Sequence, residues 1–434
     1  MVHDDEPVGL DGLAVKFDDE RAVSDAGVML VATVAQRLGI EALAGRLVRL
    51  RRDRPGAANA GRKVMALIFA MVLGADSIDD AELLRAGRTR RLLGGWLPAP
   101  STLGTFLRAF TFGHVRQLDA LLGQALERAW KAGAGPGEGR LVIDVDSFVG
   151  EVCGRLKQGA SYGYTKLLGY HPILATRADT REVLHIRLRK GSANTQKGML
   201  RFCEELTARV ERAGATGIKL LRADSGFWNT KVFEYLEKMG WQYSIGVRMI
   251  KTVRAAVEQI NEQDWQRIDY PEEGEAQIAE TVYGGRRLVV RRTRLLGPQA
   301  ELWPDWRHFA FITNRAEEIA LVEACHREHA VVEQVIADLK DQALAHFPSG
   351  QFNANGAWAV LACLAHNLLR WTQLLGLPGT TVRAARTLRR WLIGLPGRLT
   401  SHARGFTLHL PARWPWRTTF TEALARIRAL PAAA

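Results

Sequence analysis

Two aspartates two residues apart, Asp144 and Asp146, sit inside the β-prone run Leu141-Val-Ile-Asp-Val-Asp-Ser-Phe-Val149. On a strand their side chains project from the same face. Among apolar neighbours, unpaired carboxylates are costly, and a divalent cation offsets that cost; a solvated or ion-paired strand end does so too. Asp224, in Leu220-Leu-Arg-Ala-Asp-Ser-Gly-Phe-Trp228, closes another β-prone run. Ligands gather at such carboxyl ends in open α/β sheets, and capping of the following turn is the competing role. Glu333 belongs to the helical stretch His326-Arg-Glu-His-Ala-Val-Val-Glu-Gln-Val-Ile-Ala-Asp-Leu-Lys340. His326 and Lys340 are each seven residues from it and His329 four, so the four share one helix face. Such a face is commonly only a solvated set of ion pairs. Joined, two acids on neighbouring strands and a third on a later helix suit two Mg²⁺ ions, with Mn²⁺ as a substitute. One ion activates a water or 3′-hydroxyl and the other stabilises the leaving oxygen, as phosphodiester hydrolysis and strand transfer require.

Several elements must bring these acids together. The run at 141–149, Ile173-Leu-Ala-Thr176 and Val183-Leu-His-Ile-Arg-Leu188 read as three consecutive strands. A helix over 195–213, a strand over 218–223, a helix over 230–239 and a strand over 241–247 follow. The order β-β-β-α-β-α-β is that of a ribonuclease-H-like mixed sheet. This catalytic core spans 139–249, is interrupted by a polar, β-rich insertion over 250–315, and resumes over 316–375 with the Glu333 helix and an apolar helix from Gly356 to Leu375.

Before the core, residues 1–135 read as an all-α domain, with apolar positions at three- and four-residue spacing and no strand-like alternation. Ser101 is a candidate helix N-cap, and the Gly-rich stretch 132–139 is a linker. Arginines at 46, 49, 51, 52, 54, 62, 85, 88, 90 and 91 lie between its helices. They suit DNA phosphates, although a solvated basic face has the same composition. After the core, 376–434 is a basic, helical and poorly ordered tail with ten Arg and one acid, Glu422, interleaved with Trp391, Trp414 and Trp416. It is a second candidate DNA surface.

The chain has 434 residues and a net charge of +13, with 47% hydrophobic residues, which excludes global disorder and favours a polyanionic partner. Cys153, Cys203, Cys325 and Cys363 form no C-x-x-C pair, so neither a zinc cluster nor a disulfide framework is expected and a reducing cytoplasm fits. The acidic N-terminus does not resemble an export signal, and the apolar run Val64 to Leu73 is too short to span a bilayer. No membrane association is expected.

The segments Asp144-Val-Asp-Ser147, Lys166-Leu-Leu-Gly-Tyr-His-Pro-Ile-Leu174, Leu188-Arg-Lys-Gly191 and Leu221-Arg-Ala-Asp-Ser-Gly-Phe227 resemble DDE transposases of bacterial insertion sequences. They most resemble the thirteen-eighty family, which has a β-rich insertion before the last acid. The resemblance implies a ribonuclease-H-like catalytic domain, Mg²⁺-dependent cleavage of transposon ends as an endonuclease, and strand transfer into target DNA. Its acids fall on the Asp144/Asp146 pair, with Asp144 favoured, on Asp224 and on Glu333. All four carboxylates are expected to face metal. Related transposases often carry Tyr, Arg, Glu and Lys at spacings that here fall on His326, His329, Glu333 and Lys340, so two positions differ. Expected DNA contacts are Lys166, Arg189, Lys190, His326, Arg327, His329 and Lys340, with Arg187 and Lys197 nearby. In the insertion, Trp303 or Trp306 offers a ring for an extruded base. Implied partners are double-stranded DNA, as terminal inverted repeats and target, and a second copy in a dimer or larger assembly, on the bacterial nucleoid. Two alternatives are a catalytically inactive, transposase-derived DNA-binding protein and a ribonuclease-H-like nuclease without strand transfer.

Overall fold

A computed structural model describes residues 10–51, 53–163, 165–269, 274–295 and 306–433. The N-terminal part holds a two-residue strand, β1 (Ala22–Val23), and six helices: α1 (Val28–Arg37), α2 (Ile40–Leu47), α3 (Ala60–Val72), α4 (Thr89–Leu92), α5 (Pro100–Arg108) and α6 (Phe112–Ala129). Pro100 occupies the first position of α5, where its missing N–H is no loss, and Ser101 therefore lies inside the first turn rather than capping it. Thr111 opens α6 through a reciprocal cap with His114. The Gly-rich stretch ends α6 in a π turn, where Gly133 takes φ 111°.

The sheet-bearing part begins with β2 (Leu141–Ser147), followed by three very short strands, β3 (Gly150–Glu151), β4 (Ser161–Tyr162) and β5 (Leu168–Tyr170). Strands of two or three residues are too short to show alternation in the sequence. Then come β6 (Ile173–Arg177), β7 (Val183–Arg187), α7 (Met199–Arg212), β8 (Lys219–Ala223), α8 (Thr230–Lys238) and β9 (Gln242–Val247). The insertion contributes α9 (Lys251–Glu258), β10 (Gln266–Ile268), β11 (Gly274–Tyr283), β12 (Arg286–Leu295) and β13 (Arg307–Thr313). One nine-stranded mixed sheet results, in the order β10-β11-β12-β13-β9-β8-β2-β6-β7. β2, β6 and β7 form an antiparallel meander, and β8 and β9 lie parallel to β2. The insertion is not a separate layer: β13 pairs antiparallel with β9, Ala310 opposite Val247, so the catalytic sheet runs on through it.

The chain continues through α10 (Ile319–Arg327), α11 (Val331–Lys340) and α12 (Phe352–Gly376), then α13 (Ala385–Leu388), β14 (Gly397–His402), β15 (Gly405–His409) and α14 (Arg417–Ala429). α12 is buried on nearly all sides, packed against α3, α6, β7 and α14. Its Asn367 amide accepts from the Val183 N–H and donates to the Val183 carbonyl, both at 2.8 Å, which pins the edge strand β7 beneath the helix. A buried Glu182 accepts from Trp130 on one side and Trp371 of α12 on the other, at 3.1 and 2.7 Å. Through these bonds the helical unit and the sheet share one core.

The C-terminal segment is folded, which corrects the expectation of a poorly ordered helical tail. β14 pairs with β1 and with β15 as a three-stranded sheet, and α14 packs on α1 and α12. Phe420, Ala423 and Ile427 supply a buried helical stripe at three- and four-residue spacing. Trp391 stacks on Trp416 with ring centres 5.3 Å apart, and Trp414 donates its indole N–H to the Trp391 carbonyl. These tryptophans pack against one another and need no nucleic acid to order them. Ile427→Ala, at a site of 0% exposure, is expected to cost about 2–5 kcal/mol in urea denaturation; a freely solvated tail would leave the midpoint unchanged.

Candidate active site

β2 and β8 run parallel with Asp144 opposite Arg222 and Val145 opposite Ala223. The next residues along are Asp146 and Asp224. D-x-D on one strand and R-x-D on the other therefore lie side by side, and alternation turns all four side chains toward one face. The inner rung is an ion pair. Asp144 is 0% exposed, and its two oxygens accept from Arg222 Nε and Nη2 at 2.6 and 2.9 Å. Burial pushes the Asp144 carboxyl up, and the guanidinium fork opposes that shift.

The outer rung is built of acids. Asp146 stands one residue before the end of β2, with Oδ1 accepting the Ser147 N–H at 2.6 Å. Asp224 leaves β8 in an extended conformation, and its Oδ1 accepts the Gly226 N–H at 2.9 Å, capping the turn Ser225–Phe227. A side chain at Gly226 would press on that carboxylate, 3.0 Å from Oδ1. One Asp224 oxygen thus serves the turn and the other is left to the surface. Burial, reinforced by the charges of Asp224 and Glu333, pushes Asp146 up to about 6, against its Ser147 bond and the nearby His329. Asp224 and Glu333 thus lie near enough for their charges to reach Asp146, although the ligand atoms of these three acids do not all fall within 4.8 Å of one another, and Asp144 is fully engaged by Arg222.

Glu333 sits in the first turn of α11, where the helix dipole favours an acid. The expected continuous helix is interrupted just before it by a 3-10 turn, Glu328–Ala330. That turn redirects the residues expected to share one face. His326 Nδ1 lies 2.8 Å from Ser244 Oγ and its ring stacks on Phe311 at 4.0 Å. Burial pushes its pKa down to about 3, and the ring, held between Ser244 and Phe311, anchors α10 to the sheet. His329 Nε2 donates to the Val145 carbonyl at 3.2 Å, between the two rungs. Lys340 lies over the Phe148 ring at 5.3 Å. Arg327 is half-exposed and paired with Glu323 at 3.0 Å.

Arg189 is also corrected. It is buried, and it donates to the carbonyls of His171, Asn194 and Thr195, holding the loop before α7 instead of meeting DNA. Arg187 pairs with Glu205. Lys166 and Lys190 are exposed. Trp303 lies outside the described residues, and the Trp306 ring is already covered by the guanidinium groups of Arg292 and Arg294, each 4.6 Å from its centre. Sequence reasoning quoted Arg222 only as part of a motif. The signal available was its spacing two before Asp224, matching Asp144 two before Asp146.

Among the described residues, one trio has ligand atoms all within 4.8 Å of one another: Asp119, His185 and Glu205. Four arginines already surround it, Arg209 on Asp119, Arg187 and Arg201 on Glu205, and Arg116 on both. Against the upward push of burial, His185 and its arginine neighbours hold Glu205 down at about 2. These acids are charge-balanced, and a cation there would face four guanidinium groups; the cluster braces α6, β7 and α7 together.

The crowding at Asp146 has a measurable sign. Its folded pKa, about 6, stands above the usual 3.8. The group therefore contributes stability at low pH that is lost as pH rises through that value. In EDTA, the stability of Asp146→Asn relative to the parent chain is expected to rise between about pH 4 and about pH 7 by on the order of 2 kcal/mol. Equal destabilisation at both values in urea melts would show that the crowding is absent.

Residues 6–432 match the family described as Transposase DDE domain group 1. No curated protein matches the chain. Among solved structures it is similar to a piggyBac transposase synaptic complex with hairpin DNA, determined by cryo-EM, at 10% identity over 86% of this chain and 80% of that one, with a TM-score of 0.46. With nearly its whole length matched, the chain belongs to the Transposase DDE domain group 1 family.

Proposed function

We propose that this transposase binds the terminal inverted repeats of a mobile element as double-stranded DNA, cuts them by Mg²⁺-assisted hydrolysis, and joins the freed 3′-hydroxyl to target DNA. The observation that carries the reading is the placement of Asp146 and Asp224 side by side at the carboxyl ends of the parallel strands β2 and β8, with the charge of Glu333 reaching the same place. In this reading Asp146 takes the place expected for Asp144, because both Asp144 oxygens are committed to Arg222.

The donor set fits Mg²⁺ or Mn²⁺: three carboxylates, hard oxygen ligands, press their charges on one another with one imidazole nearby. Asp146, Asp224 and Glu333 would hold the ions, and because two ions share the site the three acids need not converge on a single point. Ions held by these acids would supply activation of the attacking water or 3′-hydroxyl and stabilisation of the leaving oxygen. The chain's own groups do the rest. Asp224 is oriented by the Gly226 N–H, and Asp146 by the Ser147 N–H. His329, fixed on the Val145 carbonyl, sits where it offsets part of the acidic charge. Lys166, Lys190, Arg327 and Lys340 reach the surface and meet phosphates, consistent with a chain of net charge +13. Two element ends must be held together, so the working form on DNA is a dimer or larger assembly.

Asp146→Ala, Asp224→Ala and Glu333→Ala are each expected to keep end binding and to lose cleavage by on the order of a thousand-fold, about 4 kcal/mol of transition-state stabilisation. Normal cutting by any of them, on a labelled end fragment in Mg²⁺, removes that acid from the site. A parent chain that nicks nothing at any Mg²⁺ or Mn²⁺ concentration would be the binding-only relative. One that cuts but never joins a pre-cleaved 3′-hydroxyl end to a plasmid would be a plain nuclease.

A further inference from the structure

Arg222 is 1% exposed, so it can meet neither DNA nor a metal ion. It nevertheless makes contacts on both sides. Toward β2 it forks onto Asp144. Toward the helices, Nη1 donates to the Cys325 carbonyl and Nη2 to the Glu328 carbonyl at 3.3 Å. Those carbonyls belong to the last turn of α10 and to the 3-10 break, and the Glu328 carbonyl also accepts the Val331 N–H, so the guanidinium adds a bond from the sheet at the point where the helix changes its turn. Neither α10 nor the break ends in a glycine or other local stop signal, and α11 starts without a side-chain cap. The break is thus stabilised from the sheet. Glu333 stands five residues beyond Glu328, on the first turn of the helix that restarts there, with Val332 and Val335 buried to fix its rotation.

We infer that Arg222 is a positioning residue for Glu333, and that Asp144 serves as the buried anchor that aims Arg222. This rests on reading Glu333 as an ion-holding acid. The D-x-D pair then divides its labour: Asp146 faces the ions and Asp144 sets the distance between the sheet and the Glu333 helix. A buried ion pair is seldom the most stable filling for a core, since well-packed apolar side chains of similar volume do as well. A fork that satisfies the Asp144 carboxylate and two backbone carbonyls of the helix break, and also pairs with the Glu328 carboxylate at 3.4 Å, is, however, something only a guanidinium can supply; lysine has the charge without the reach in two directions.

The test uses the full chain carrying Arg222→Lys, and separately the packed apolar pair Asp144→Leu with Arg222→Met, which keeps a foldable core if the lysine variant fails to fold. End binding is measured in EDTA, and cleavage is followed against Mn²⁺ concentration. The expected result is unchanged end binding, a half-saturating Mn²⁺ concentration raised about 10- to 100-fold, and recovery of rate at high Mn²⁺. A parent-like Mn²⁺ requirement overturns the inference, as does loss of cleavage that no Mn²⁺ concentration restores or a parallel loss of end binding. Glu333→Gln is run beside them. If it also cuts normally, the reading of Glu333 has failed; if it is dead while Arg222→Lys keeps the parent requirement, only the positioning role has failed.

Discussion

The buried bond between Asp144 and Arg222 ties together three elements that local sequence leaves independent: two parallel strands and the end of a helix from much later in the chain. Inside the sheet the two charges cancel in a buried row whose next members, Thr176 and Ser244, are polar but uncharged. Breaking it from one side strands the other ion, at a cost of about 3–5 kcal/mol. The neighbouring rung, Asp146 and Asp224, has no such neutralising partner within the pair. One rung is therefore stable as it stands, and the other stays electrostatically unsatisfied until something positive arrives. Two residues of strand separate a structural ion pair from an acidic surface.

The rest of the fold keeps that surface in place. Covering helices and a continuous sheet hold β2 and β8 in the middle of nine strands, where a register slip would turn the acids to the wrong face. The insertion extends the same sheet, so α10 rests on strands that are themselves braced by β9. Arg291 of β12 shares Glu323 of α10 with Arg327, a second tie between inserted strands and the helix that precedes the break. On the opposite flank, the ring of ion pairs around Asp119, His185 and Glu205 fastens α6 and α7 to β7.

Much of this was legible in the chain itself. The strands around Ile143, Leu174, Ile186, Leu221 and Ile245 announce themselves by short apolar runs between turn residues, and the order of elements sets the sheet topology. The aspartates of the site stand out because carboxylates are costly in or beside such runs, and Glu333 gains meaning only when joined to them. Which of Asp144 and Asp146 faces outward was not legible, because alternation puts both on one face and only the cross-strand partner, Arg222, tells them apart. The break at Glu328 was hidden for a related reason: His326 to Lys340 is a sound helix by propensity, and a side chain from another strand interrupts it. Arg189 and His326 carry the residue types of phosphate ligands, yet their surroundings bury them, a property of tertiary packing. In the C-terminal segment, the abundance of arginine masked the Phe420, Ala423 and Ile427 stripe.

The pairing of β1 with β14, and of α1 with α14, joins positions separated by almost the whole chain. Synthesis at roughly 5–20 residues per second leaves Ala22 and Val23 waiting on the order of tens of seconds for Gly397 and Arg398 to emerge. Until then the first helices have neither their strand partner nor the Ile427 face that covers them. Completion of the amino-terminal unit thus waits for the segment from Gly397 to Ile427, and translation products stopped before that segment lack the closure that seals it.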